Sequence, residues 1–169
     1  MVDNTVIELV PQVRADMVQR RKASNCAAWF DVLDQVKDPE IPTLSIWDLG
    51  VLQDVSEFNK TVTVTITPTY SGCPAMQLIE AEIIDSLQAA GANSVEIRTQ
   101  LAPPWSSEWM DPPARKRLRN YGIAPPGDTT CPQCGSTHTT VVSEFGSTAC
   151  KALHRCLDCQ EPFDYFKSF

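Results

Sequence analysis

The sequence predicts an α+β domain followed by a small cysteine-bearing β module, and three observations carry that fold class. Apolar residues recur at three- and four-residue spacing over 26–36 and again over 76–87, as on one face of a helix. Segments 51–58, 61–67 and 94–101 read instead as strands, most clearly where 61–67 and 94–101 alternate with a period of two. Beyond residue 128, two C-x2-C pairs frame a module too short for a large core. The expected order in the first domain is α-β-β-α-β, a three-stranded or larger sheet with the helices packed on one face.

Taken in order, residues 1–23 have weak periodicity and end in Arg20, Arg21 and Lys22, so they are expected to be a mobile or loosely docked N-terminal arm. A helix should start after Ser24 or Asn25, bury Cys26, Trp29, Phe30, Leu33 and Val36, and stop before Pro39. "DPEIPTLSIWDLG" then reads as a proline-punctuated loop. "VLQDVSEF" and "TVTVTIT" read as a hairpin turning at Asn59 and Lys60, with Val62, Val64 and Ile66 inward and Thr61, Thr63 and Thr65 toward solvent. Pro74 suits the first position of a second helix, because it has no N–H to leave unpaired. Met76, Ile79, Ile83 and Leu87 give that helix its stripe, and Gly91 ends it. "SVEIRTQL" supplies a third strand and closes a domain expected over 24–104.

Residues 105–127 are rich in proline and read as a linker containing one short helix, capped at Asp111 and ending near Gly122. Its Arg115, Lys116, Arg117 and Arg119 read as a solvated face. Trp105 and Trp109 have two readings, a partner-binding patch or side chains packed back onto the domain.

The strongest motif lies in 128–169: Cys131 and Cys134, then Cys156 and Cys159. Each pair can form a knuckle whose thiolates point to a common centre, and the intervening length allows a hairpin to bring the knuckles together. Four thiolates with no open position describe a closed structural site, a zinc ribbon. Zinc is the default ion on grounds of thiolate softness and tetrahedral geometry, while a single iron shares the ligand pattern. Metal binding would supply folding free energy that so small a module lacks. Cys150 and His154 read as packing neighbours of the site, His138 as a plain surface residue, and "EPFDYF" as a closing strand.

Composition narrows the partners. A net charge of −7 argues against nucleic acid, whose phosphates an acidic surface repels. The N-terminus shows no apolar run of signal-peptide or membrane-spanning length, so the expected location is the cytoplasm, with no membrane partner. Seven cysteines in a reducing compartment favour metal ligation or thiol chemistry over disulfides.

Cys73, in "TPTYSGCPAM", belongs to no pair. At the start of a helix, unpaired N–H groups and the helix dipole favour negative charge, which makes a thiolate available as nucleophile or soft-metal ligand. A small residue tolerated beside Gly72 in a tight turn is the alternative. Asp38 and Glu40 in "DPEIP" could position a metal or a partner lysine, or could simply be turn chemistry. No histidine lies near them in sequence to form a Cys–His catalytic pair.

"DPEIPTLSIWDLG", "TPTYSGCPA", "SEFGSTACKA" and "CLDCQEPFDYF", in this order, resemble the PaaD type of accessory protein of the multicomponent phenylacetyl-CoA epoxidases of aerobic phenylacetate degradation. The resemblance runs from about residue 24 to the C-terminus. The first domain is also similar to the SufT-type family connected with iron–sulfur cluster assembly, in which a DPE-type loop and a cysteine before a helix recur. The resemblance implies Asp38, Glu40 and Cys73 as functional positions, with Cys73 transiently holding iron or a cluster, and Cys131, Cys134, Cys156 and Cys159 as the added ribbon. It implies a cytosolic maturation factor serving the epoxidase system, its reductase component first, with no catalysis of its own. A structural adaptor of the complex, and a thiol enzyme acting through Cys73, are the alternatives.

Overall fold

The computed structural model describes residues 5–169, with side chains from residue 12 onward. The chain forms two compact units, 1–110 and 111–169. No helix among the described residues is long and apolar enough to cross a membrane.

The first unit opens with helix α1 (Thr5–Ala23), where the sequence predicted an arm; residues 1–4 lie outside the described residues. What ties α1 down is a few inward residues that weak periodicity does not advertise. Met17 is fully buried, and Arg14 and Arg21 stack on the ring of Trp47 at 4.4 and 4.7 Å from its centroid. Arg14 also donates to the Trp47 carbonyl, and Arg21 forks onto both oxygens of Asp34 at 2.8 and 2.6 Å. Cation–π and bidentate contacts of this kind hold best when partly screened from water. Arg21→Ala is expected to cost about 1–2 kcal/mol. It should speed amide exchange along α1 while leaving the exchange of 75–89 unchanged.

Helix α2 (Ala27–Leu33) is shorter than its apolar stripe, because the chain turns at Asp34 and enters strand β1 (Lys37–Asp38). β1 pairs antiparallel with β2 (Ile41–Ser45), so a hairpin occupies what the sequence marked as loop. Pro42 is tolerated there because β1 and β2 form a sheet of two strands, each with a free edge.

β3 (Leu52–Phe58) and β4 (Thr61–Ile66) form the expected hairpin, with Asn59 and Lys60 both at positive φ, 48° and 65°, as a two-residue type I′ connection requires. Helix α3 (Ala75–Ala89) buries Ala75, Ile79, Ile83 and Leu87; Met76 is only half-buried, and Pro74 stands one position earlier than expected, as the cap. Gly91, at φ 103°, turns the chain into β5 (Ser94–Thr99). β5 runs parallel to β4, the geometry that a helical crossover permits, giving the order β3-β4-β5. Val62, Val64 and Ile66 are buried as predicted, and Thr61, Thr63 and Thr65 are half-buried.

The first unit does not end at residue 104. A 3-10 turn over Ser107–Trp109 packs against α1, Trp105 donates its indole N–H to the Leu49 carbonyl at 2.9 Å, and Trp109 is 1% exposed. Both tryptophans therefore belong to the core, and the stretch expected to be a linker over 105–127 is divided between the two units.

The second unit begins with α4 (Pro112–Asn120), capped by Asp111, whose carboxylate accepts from the Ala114 N–H. Part of the basic run is engaged within the unit. Arg115 donates to the Pro126 carbonyl and Arg119 pairs with Asp128. Strands β6 (Ile123–Ala124), β7 (Thr139–Ser143), β8 (Lys151–Cys156) and β9 (Pro162–Phe166) form one sheet in the order β6-β9-β8-β7. The apolar cluster at the knuckles is small: Ala124, Cys131, Cys156 and Phe163, with Cys159 and Tyr165 against it.

Candidate functional site

Two places carry the residues marked by the sequence. In the second unit, the Sγ atoms of Cys131, Cys134, Cys156 and Cys159 all lie within 4.8 Å of one another. Cys131 approaches Cys159 at 3.7 Å and Cys134 approaches Cys156 at 3.6 Å. A tetrahedron with metal–sulfur bonds of about 2.3 Å has sulfur edges of about 3.8 Å, so the quartet fits a thiolate-bound ion.

The two knuckles are built alike. After the second cysteine of each pair the chain enters the left-handed region, at Gly135 (φ 77°) and at Gln160 (φ 66°). In the first, the Gly135 N–H returns to the Cys131 carbonyl at 3.0 Å; in the second, the Cys159 N–H points at Cys156 Sγ at 3.5 Å. Glycine meets this turn without strain, whereas Gln160 ties its side chain to the Leu157 carbonyl.

The electrostatics suit a cation. The Cys159 N–H, with help from that of Asp158 and from neighbouring sulfurs, pulls the Cys156 thiol down to about 6 against the cost of burial. The Glu161 N–H favours the Cys159 thiolate, yet burial and the other three sulfurs push it up to about 12. Such a spread is what closely placed like charges produce: one thiolate forms readily and the last resists. A bound divalent ion reverses that repulsion.

Around the quartet, the structure shows contacts that the sequence reading missed. Ser136 and His138, just past the first knuckle, meet Asp158 inside the second, with the Ser136 hydroxyl donating and His138 Nδ1 at 3.4 Å. That hydroxyl, then His138, hold the Asp158 carboxyl below its usual range. The only sequence signal is an acidic residue between two cysteines, which names no partner twenty or more positions away.

Cys150 and His154 stay outside the quartet. Cys150 is buried with its Sγ 3.1 Å from the Thr148 hydroxyl. The His154 ring lies against Phe163 and Tyr165, and burial pushes its pKa down. The "SEFGSTACKA" loop folds back on β8 through the Gly146 N–H, which donates to the Lys151 carbonyl at 2.8 Å. Buried Lys151 and the Ser147 hydroxyl both meet Asp164 on β9.

In the first unit, Cys73 is half-buried in a turn just before α3. Its N–H donates to the Tyr70 carbonyl at 3.3 Å and its carbonyl accepts from Met76 at 3.2 Å, so the residue starts the helical pattern. Gly72, at φ 83°, makes the turn possible. Asp38 is buried and its Oδ1 accepts from the N–H groups of Glu40 and Ile41 at 2.8 and 2.9 Å. Its carboxylate thus shapes the β1–β2 turn, in which Glu40 is half-buried. β1 packs against α3, the helix that Cys73 precedes. Among the described residues, the ribbon quartet is where three or more such ligands gather closely enough for one ion, so Asp38, Glu40 and Cys73 do not form a ready-made chelate.

Comparison with known proteins follows the same division. Residues 27–98 match the family model described as iron–sulfur cluster assembly protein, and residues 120–167 match the PaaD zinc beta ribbon domain. A protein of Escherichia coli (strain K12) described as the D-type component of 1,2-phenylacetyl-CoA epoxidase is 48% identical over 146 residues, covering 80% of this chain and 88% of its own. An Fe-S protein maturation auxiliary factor of Porphyromonas gingivalis is 33% identical over 89 residues, 52% of this chain and 84% of that one. The crystal structure of a domain of unknown function, DUF59, from Bacillus anthracis superposes with a TM-score of 0.50 at 30% identity, covering 54% of this chain and 89% of that one. With an assembly-type domain, a four-cysteine ribbon and near full-length similarity in one chain, the protein belongs to the PaaD family of phenylacetyl-CoA epoxidase components.

Proposed function

We propose that this protein is a cytoplasmic accessory factor of a multicomponent phenylacetyl-CoA 1,2-epoxidase in aerobic phenylacetate degradation, and that it assists the assembly or delivery of an iron–sulfur cluster to the reductase component. Zinc, held by Cys131, Cys134, Cys156 and Cys159, is structural; the cluster is cargo. The observation that carries the reading is the pairing of a closed four-thiol site with one separate, half-buried thiol at the start of α3. A closed site retains its ion. A single thiolate outside any preformed chelate holds iron or a cluster only with ligands contributed from elsewhere, and so can release it. Asp38 acts by fixing the turn after β1, the strand that packs on α3, and Glu40 lies in that turn.

The similarity to an epoxidase component and to an Fe-S maturation factor supports this reading. Cys73→Ser protein is expected to keep its zinc and its melting temperature while delivering clusters to the reductase at least about tenfold more slowly. Absorbance and iron content of the reductase after anaerobic reconstitution would measure this. Full cluster occupancy with the variant would end the proposal.

A resident adaptor of the complex is the second reading. Burial of Trp105 and Trp109 removes the aromatic patch that an adaptor would use, while Val141, Val142 and Phe145 of the ribbon are exposed. Co-purification with the epoxidase at fixed stoichiometry would favour it over transient association.

A further inference from the structure

The first unit contains a cleft of about 280 Å³ lined by Val13, Asp16 and Arg20 of α1, Gln53 and Asp54 of β3, Thr65 of β4, and Gln100 and Pro103 beyond β5. Gln53, Asp54 and Thr65 lie within the segment matched by the iron–sulfur assembly family, whereas the α1 residues, Gln100 and Pro103 lie outside it. The cleft is therefore completed by what this chain adds to the common domain.

Gln53 forms its inner wall and is only 2% exposed. Its Nε2 donates to the Gly50 carbonyl at 2.7 Å, which fixes the amide orientation and leaves Oε1 without a hydrogen bond among the described residues. Asp16, Arg20 and Asp54 likewise make no ion pair among the described residues, although Asp16 and Arg20 are one turn apart on α1. The Gln53 amide oxygen and the carboxylates of half-buried Asp54 and exposed Asp16 face one cleft without protein partners, which leaves a demand for donors that water or a ligand can meet.

Size and charge select what can meet it. The volume lies at or below the lower end of ligand pockets, enough for one long side chain and too small for a nucleotide-bearing cofactor. Two carboxylates against one guanidinium favour a single positive charge, and Arg20 in the same cleft disfavours a bare divalent ion. An ammonium has three donors and no acceptor, matching Asp16, Asp54 and Gln53 Oε1. Val13 and Pro103 suit a methylene stem. Arg20 is left for a carboxylate next to that cation.

We propose that this cleft receives a lysine side chain of a protein partner, with a neighbouring acidic residue of the same partner held by Arg20. Cys73 is not among the residues that line the cleft, and the proposal does not depend on the cluster-assembly reading.

Full-length 15N-labelled protein titrated with the capped dipeptide N-acetyl-Glu-Lys-amide tests it. Saturable shifts are expected at the amides of Asp16, Gln53, Asp54 and Thr65, and none with N-acetyl-Glu-norleucine-amide. Asp54→Asn, an isosteric change at a half-buried position, should weaken binding about tenfold, with the rest of the spectrum unchanged. N-acetyl-Gln-Lys-amide should bind the parent protein more weakly than the Glu-Lys probe, but bind Arg20→Gln as well as that probe does. The proposal is overturned if the Glu-Lys probe gives no saturable shift, if the norleucine probe binds equally, or if Asp54→Asn binds undiminished. Tighter binding of free L-lysine than of the capped probe would assign the cleft to a free amino acid, and displacement of the probe by equimolar Mg²⁺ to a metal; either overturns the partner lysine.

Discussion

Cys131→Ser protein is expected to lose its bound metal and, with it, the fold of residues 111–169, while residues 1–110 stay folded. The knuckle core is Ala124, Cys131, Cys156 and Phe163, so two of its four buried residues belong to the cysteine quartet. Leu118, Ile123, Ala152 and Phe166 are buried elsewhere in the unit, but the knuckle end has little other apolar interior and depends on its ion, and structural zinc in peptide modules supplies apparent free energies of about 10–16 kcal/mol at neutral pH. Serine is a hard, protonated ligand at that pH and does not replace a thiolate. Elemental analysis should fall from one metal per chain to none. Amide protection should vanish in β7, β8 and β9 and survive in β3, β4 and α3. A strong chelator should produce the same split in the parent protein. Acidification acts in the same direction, because the thiols release protons to bind and metal affinity therefore falls as pH falls. A Cys131→Ser protein with full metal content and a protected ribbon would refute this account.

Gly50→Ala should destabilise the first unit by about 2–5 kcal/mol, and two separate costs produce that figure. Gly50 sits at φ 72°, where a side chain is strained. A Cβ there would also stand 2.8 Å from the Trp109 Cβ, well inside contact distance and against a side chain with no room to retreat. Gly72→Ala separates the terms, since Gly72 has φ 83°, close to that of Gly50, but nothing within 4 Å of an added Cβ. The difference in unfolding free energy between the two variants reports the contact alone. Equal costs would show that Trp109 is not held against the turn.

That contact also illustrates why sequence reading placed the boundary of the first domain too early. Proline density around 103–113 reads as linker, and nothing local reveals that Trp105 reaches Leu49 or that Trp109 seats on Gly50. The same holds for α1. Met17 and two arginines on Trp47 fasten it, and the arginines' partners lie more than twenty positions away or at the end of α2.

Other features were legible because their causes are local. The α3 stripe, the Asn59–Lys60 turn, the Asp111 cap and the paired cysteines each depend on residues a few positions apart, and each appears where the spacing put it. The β1–β2 hairpin was missed because its strands are short and interrupted by Pro39 and Pro42, while the Asp38 carboxylate that shapes its turn acts through backbone N–H groups that no side-chain pattern displays.

The helix and strand periods, the hairpin turn and the two cysteine pairs are readable from the chain alone, since these follow from steric and chemical preferences within a short stretch of it. That α1 and the tryptophans join the first unit, that Asp38 serves its turn, and that Gln53, Asp16 and Asp54 line one cleft emerges from long-range packing. Those outcomes depend on which distant groups compete for the same buried surface, and that competition is resolved only when the chain closes on itself.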